Sequence, residues 1–182
     1  MEAVTRLAQH DAGDLIASAA AGDEFAFRRI IAAHHDDMRR VCVYIAGDRL
    51  VADEATQAAW VVAWKKIGSV RDEASLRPWL VSVAANEAKR ILRQQRRRVA
   101  FESVAGAAVE SGAVDPATGI DAMDLYAAMA RLDPDDRALL AMRYVLGFDS
   151  NELARATGIS PSGTRSRLER LSKRLREDLS DG

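Results

Sequence analysis

Apolar residues recur at intervals of three to four along most of the chain, and the two-residue alternation of a half-buried strand is nearly absent. No Asn-Gly or Asp-Gly pair stands where it could turn a hairpin. One helical face carries Phe27, Ile30, Ile31, His34, Met38, Val41, Cys42 and Ile45, with Asp23 placed to cap its start and Gly47 to close it. A second helix is predicted over residues 51–66, with Ala59, Trp60, Ala63 and Trp64 as its apolar face and an end at Gly68. A polar loop, 69–75, precedes a third helix that begins near Leu76, with Pro78 tolerated in its first turn. That helix continues through Trp79, Leu80, Val83, Ala84, Ala88, Ile91 and Leu92.

Between residues 99 and 120 the period is lost, the composition turns to Ala, Gly, Ser and Val, and Pro116 appears. This reads as an interdomain linker. A second helical unit follows, with Leu125, Met129 and Leu132 on one face, a restart at Asp133-Pro134, and Ala138, Leu139, Met142 and Val145 before a stop at Gly147. The expected fold is all-α: two small helical domains, 1–98 and 122–182, joined by a flexible acidic linker, 99–121.

The C-terminal segment is the most informative. A short helix from Asn151 ends at Gly158, Ile159 can plug the corner, and Ser160 caps a new helix with Pro161 at its first position. A helix, a glycine turn and a second helix are the grammar of a helix-turn-helix. In the second helix Leu168, Leu171, Leu175 and Leu179 face a core, while Arg167, Arg170 and Arg174 repeat the spacing one residue earlier. Arg165 and Lys173 lie on the outward side, and Ser162, Thr164, Arg165 and Ser166 are offered to base edges or phosphates. A plain helical hairpin with a basic face is the alternative.

Composition sharpens this picture only when mapped. The 182 residues hold 26 Lys+Arg against 27 Asp+Glu, a net charge of -1, with 48% hydrophobic residues. Such a chain is folded rather than disordered, and no run is long enough to span a bilayer. The N-terminus lacks a secretory pattern and Cys42 stands alone, so a cytoplasmic protein without disulfides is expected. Neutrality is a cancellation between blocks. Residues 65–98 hold 10 basic and 3 acidic residues, and residues 162–182 hold 6 and 4, whereas 99–161 hold 4 and 10. The densest block, 89–98, has six cations and no acid. It is either a solvated helix face or a phosphate-contacting surface, since clustered cations release counterions from nucleic acid.

Other chemistry is thin. His34 and His35 are adjacent and point about 100° apart on a helix, which suits no shared metal. The acid pairs Asp36-Asp37 and Asp135-Asp136 are neighbours rather than converging carboxylates. No phosphate-binding glycine loop, nucleophile elbow or metalloprotease motif occurs. The expectation is a protein with no catalytic activity and no cofactor. Trp60, Trp64 and Trp79 read as core residues at helical spacing, and Trp79, between a polar loop and a cationic helix, also suits stacking on an unpaired base.

In this order the motifs resemble the bacterial RNA polymerase sigma factors of the extracytoplasmic-function (ECF) group. The segments that carry the resemblance are Gly22-Asp23-Glu24-Phe25-Ala26-Phe27, Asp53-Glu54-Ala55-Thr56-Gln57 with Trp60 and Trp64, and Arg71-Asp72-Glu73-Ala74-Ser75-Leu76-Arg77-Pro78-Trp79-Leu80 with Asn86. To these are added Leu132-Asp133-Pro134-Asp135-Asp136-Arg137, Arg143-Tyr144, Gly147-Phe148 and the helix-turn-helix. The resemblance implies that Asp53, Glu54, Gln57 and Trp60 dock on a coiled coil of the core polymerase β′ subunit, with the β subunit as a further partner. It implies that Arg71, Ser75, Arg77, Trp79, Asn86, Lys89, Arg90, Arg93 and Arg97 hold the −10 promoter element, one base of which is flipped from the non-template strand. It gives the −35 element to Ser162, Thr164, Arg165, Ser166, Arg167, Arg170, Lys173 and Arg174. The acidic linker would thread the polymerase channel, mimicking nucleic acid. Ala55 and Ala58 stand where the family often has leucine and glutamate, and Ser82 and Ala85 where it often has arginine. The implied protein is a stress-responsive transcription initiation factor, monomeric when free, controlled by an anti-sigma factor and not inserted in a membrane. Its rivals are a helix-turn-helix regulator with a helical sensing or dimerising domain, and a helical interaction protein with no DNA role.

Overall fold

The computed structural model describes residues 12–104 and 128–180, and every regular element among them is helical. The first unit contains α1 (Ala12–Ala20), α2 (Glu24–Ala46), α3 (Arg49–Lys66), a 3-10 turn (Ile67–Ser69) and α4 (Glu73–Val104). The second contains α5 (Pro134–Leu140), a π-helical turn (Ala141–Val145), α6 (Ser150–Thr157) and α7 (Pro161–Ser180).

The caps read from sequence set the boundaries. Asp23 accepts from the backbone N–H groups of Phe25 and Ala26, and Gly47 closes α2 in the left-handed conformation. Asp48 caps α3 through the Val51 N–H at 2.9 Å. The third helix departs from expectation at both ends. Asp72 accepts from the Ser75 N–H at 2.8 Å, so α4 starts at Glu73 and Pro78 lies inside it rather than in its first turn. Its other end runs on to Val104, into the stretch read as linker. Most of that stretch, including Glu110, Asp115, Pro116, Asp121 and Asp124, lies outside the described residues.

α2, α3 and α4 pack against one another around Met38, Val41, Cys42, Ile45, Leu80 and Ala84, all fully buried. The α3 side of this core is Ala52, Ala55, Ala59 and Ala63, each 0% exposed. Small side chains there let α3 approach its neighbours closely, because interaxial distance follows the residues at the contact. Ala55 thus fills a core position. The expected tryptophan face is split. Trp60 is half-buried, with Phe27 edge-on at 5.7 Å, and Trp64 lies at the surface against the same ring at 4.8 Å. Burial pushes the Cys42 thiol up to about 11, so it behaves as an inert apolar filler.

The second unit closes on Phe148, Leu139, Met142 and Leu153, with Leu168 and Leu171 from α7. The helix after Asp133 does not stay α-helical to Gly147. Leu146 N–H donates to the Ala141 carbonyl at 3.1 Å and Phe148 N–H to the Met142 carbonyl at 3.0 Å, which widens the last turn and delivers Phe148 to the core. Buried residues of both units form one continuous apolar cluster, and α2 and α4 pack against the second unit.

Candidate nucleic-acid and polymerase interfaces

The α4 surface combines a loop, a helix start and a cationic tail. Arg71 is exposed, Ser75 half-buried, and Trp79 half-buried against the core, with the Ser82 hydroxyl donating to its carbonyl at 2.7 Å. Asn86, Arg90, Arg93 and Arg97 fall at helical spacing on one exposed stripe. Arg90 is steadied by Glu87 at 2.7 Å and by the Gln94 side chain at 3.0 Å. Arg93 and Arg97 stand in solvent beside Arg96 and Arg98. Arg77 and Lys89, expected on this surface, instead hold partners within the protein. Arg77 reaches Asp37 at 2.7 Å and the Leu146 carbonyl at 2.8 Å, and Lys89 pairs with Asp135 at 2.7 Å.

The helix-turn-helix is built as its sequence grammar requires. Asp149 and Glu152 form a capping box at the start of α6, each accepting from the other's backbone N–H. Gly158 makes the turn with φ 72, in the left-handed region that only glycine enters cheaply. Ser160 Oγ accepts from the Gly163 N–H at 3.2 Å to open α7. Gly163 is itself confined, since a Cβ there would lie 3.0 Å from Ile159 Cγ2 and 3.1 Å from Ser160 Oγ.

Along α7, Ser162, Arg165, Ser166, Arg170, Lys173 and Arg174 are exposed. Thr164 is not among them. It is fully buried, and its hydroxyl donates to the Ser160 carbonyl at 2.9 Å. Arg167 is half-buried and clamps the second unit, with Asp136 at 2.6 Å and Asp133 at 4.0 Å. Burial raises the Asp136 carboxyl despite Arg167, with Asp133 adding to the rise. Asp133, which accepts from the Asp135 and Asp136 N–H groups, is held low against its own burial. Leu179 has no described side-chain environment.

On α3, Glu54 and Gln57 are exposed. Asp53 pairs with Arg39 at 2.7 Å and ties α3 to α2, and the Trp60 Nε1–H donates to His35 Nδ1 at 3.2 Å. Two further surface residues were not singled out from sequence: Leu50, 81% exposed, and Val61, 56% exposed. With Glu54 and Gln57 they make one stripe, 50–54–57–61, and that spacing was available in the sequence. Among the described residues no cluster of His, Cys, Asp or Glu could hold a metal, and no helix is long and apolar enough to cross a membrane.

A helix-turn-helix with an exposed basic second helix, beside another helical unit that carries its own exposed cationic stripe, defines an all-α protein of the helix-turn-helix DNA-binding class. Residues 30–98 match the family description Sigma-70 region 2, and residues 122–175 match Sigma-70, region 4. The chain belongs to the sigma factors of RNA polymerase, in their ECF group. It is 28% identical over 164 residues to the RNA polymerase sigma factor CarQ of Myxococcus xanthus, covering 88% of this chain and 92% of that protein. It is 26% identical to the ECF RNA polymerase sigma factor SigL of Mycobacterium tuberculosis, covering 91% of this chain and 96% of that one. The Xanthomonas campestris protein named Probable RNA polymerase sigma factor RfaY is 28% identical over 88% of this chain, which spans 42% of that longer protein. Among solved structures, the sigma factor RpoE of Bartonella quintana, in complex with the anti-sigma factor NepR, matches with a TM-score of 0.70. It is 25% identical, over 85% of this chain and 96% of that one. CnrH, in complex with the cytosolic domain of CnrY, shares the fold with a TM-score of 0.67 and 21% identity, over 94% of this chain and 99% of that one.

Proposed function

We propose that this sigma factor divides promoter recognition between α4 and α7. The stripe of Asn86, Arg90, Arg93 and Arg97, with Trp79 and the loop at Arg71, holds the −10 element. The exposed face of α7, with Arg165, Ser166, Arg170, Lys173 and Arg174, reads the −35 element in the major groove. The stripe Leu50–Glu54–Gln57–Val61 on α3 docks on the β′ subunit of core polymerase, its apolar ends flanking a polar centre. An anti-sigma factor holds the protein inactive in the cytoplasm, a reading supported by the relative that is seen bound to one. The observation that carries this assignment is the presence of two solvent-facing cationic helices on one chain, in separate helical units. A repressor needs only one.

Run-off transcription with core polymerase over a pool of promoter fragments tests the reading. The chain is expected to select a subset with recurrent −10 and −35 elements. Failure to start any transcript selectively would favour a repressor. Arg165→Glu with Arg170→Glu should weaken use of −35-dependent promoters at least tenfold while leaving core-enzyme binding intact, since each lost phosphate or base contact costs roughly 1 kcal/mol or more. Loss of core-enzyme binding in that variant would contradict the division of roles.

A further inference from the structure

The first helix, α1, has no part in either DNA surface. It lies ahead of the region 2 match, which begins at residue 30, and it carries no cation that could hold a phosphate. Ile16 and Ala19 are its buried side chains, and Leu15 packs at the edge of the core. What α1 covers is α2 and the 3-10 turn Ile67–Ser69, the entrance to the loop that precedes α4. At that turn the chain has glycine. A Cβ on Gly68 would stand 3.5 Å from Ala20 Cβ, in ordinary van der Waals contact, so the end of α1 lies against the backbone of the turn.

Both sides of this contact are held. The Asp23 N–H donates to the Ser18 carbonyl and the Gly22 N–H to the Ala19 carbonyl, both at 3.0 Å, with Gly22 at φ 93. The Asp23 side chain then caps α2, so the two helices and the corner between them keep one geometry. In the loop, Ile67 is buried, the Val70 N–H donates to its carbonyl at 3.0 Å, and the Ser69 hydroxyl donates to the Lys66 carbonyl at 2.7 Å. Asp72 accepts from the Ser75 N–H at the far end. A loop tied this closely to itself moves as a piece, and its place is set by what its base rests on.

We propose that α1 is a positioning element for promoter selection, holding the 67–75 loop, and with it Arg71 and Ser75, where they meet the −10 element. The inference rests on the assignment of that loop and α4 to the −10 element. Reading a base demands placement within about 0.5 Å, and such placement comes from supporting residues locked by packing. Ile16, Ala19, Ala20 and Gly68 are the positioning residues; they act through the loop and need no contact with DNA.

The test uses the full-length chain. Ile16→Ala loosens α1 by emptying its largest buried anchor, Ala19→Gly is a milder second variant, and Ile16→Val is the conservative control. Ala20→Cys with Gly68→Cys supplies a clamp, because Cβ atoms 3.5 Å apart fall in the range a disulfide spans. Cys42 is fully buried and takes no part. Run-off transcription by the holoenzyme on promoters differing only in −10 bases reads selection, and amide exchange at Val70 in the free chain reads the hold on the loop. Ile16→Ala is expected to cut the preference for the favoured base about tenfold and to speed that exchange, with core-enzyme and duplex −35 binding unchanged. Ala19→Gly should act in the same direction and Ile16→Val should stay close to the parent. Adding the oxidised clamp to Ile16→Ala should restore both readouts, and dithiothreitol should abolish the restoration. A lowered melting temperature with selection intact would overturn the proposal and leave α1 as packing alone. Failure of the clamp to close, or closure without restored selection, would overturn it as well. Faster exchange in Ile16→Ala, with no base selection even in the parent, would uphold the hold of α1 on the loop and overturn the −10 assignment.

Discussion

Thr164 and Arg165 are neighbours in the chain, and the structure sends them in opposite directions. Thr164 is buried with its hydroxyl on the Ser160 carbonyl, and Arg165 projects into solvent. Thr164→Val keeps the shape and loses the hydroxyl. The Ser160 carbonyl also accepts the Thr164 backbone N–H at 2.8 Å, so the cost is expected near the low end for a buried hydrogen bond, about 1 kcal/mol. Calorimetry should record that loss with −35 affinity unchanged, whereas Arg165→Ala should weaken −35 binding without moving the melting temperature. The burial of Thr164 was legible in the sequence, because 164, 168, 171 and 175 continue the core period of Leu168, Leu171 and Leu175. Its polar type drew it into the run of outward residues. His34 makes a second prediction at this scale. Burial lowers its pKa from the ordinary value of 6.5, the Asp37 charge opposing and the Arg77 charge assisting. The unfolded chain therefore takes up a proton before the folded one does. Stability attributable to His34 is full above pH 6.5 and falls as the pH drops through that value toward the folded pKa. Urea midpoints of the parent chain at neutral and mildly acid pH, compared with those of His34→Gln, should show the smaller pH dependence in the variant. Equal slopes would contradict it.

Helix ends carried most of what could be read in advance about the elements. Asp23, Asp133 and Ser160 accept from the N–H groups that open their helices, and Gly47 and Gly158 close theirs in the left-handed conformation. Gly158→Ala isolates that conformational term, because a Cβ there meets nothing within 4 Å and the whole cost is backbone strain of roughly 1–2 kcal/mol. A loss of that size in denaturant unfolding of the second unit, with a further fall in −35 affinity from the altered helix angle, is expected. No loss would show that the turn relaxes. Asp149 belongs to the same turn and is pulled below the ordinary carboxylate value by the N–H groups of Glu152 and Asn151. Its contribution to the α6 cap is present above the unfolded carboxylate pKa and is lost as the pH falls through the lower folded value. Two element-level features escaped the sequence. The start of α4 was set by Asp72, whose capping competes on equal terms with the apolar onset at Leu76, and the earlier start places Pro78 inside the helix. The π-helical turn at Ala141–Val145 arises from long-range packing of Phe148, which local periodicity does not report.

For the whole molecule the near-zero net charge is the least informative quantity and its distribution the most. Residues 65–98 carry the excess of cations, and the structure sorts them into two groups. Arg77 and Lys89 are paired with acids of other helices, while Arg93 and Arg97 face water. Sequence could find the block but not the sorting, because the partners Asp37, Asp135 and Glu152 come from distant segments and no local pattern pairs them. This difference has a measurable consequence. Cations that contact phosphate release counterions, so each contributes about one to the slope of log affinity against log salt. Arg93→Gln with Arg97→Gln, assayed as holoenzyme on promoter fragments over a range of potassium chloride, should reduce that slope by about two and weaken all promoters alike. An unchanged slope would mean that Arg93 and Arg97 contact no phosphate in the holoenzyme.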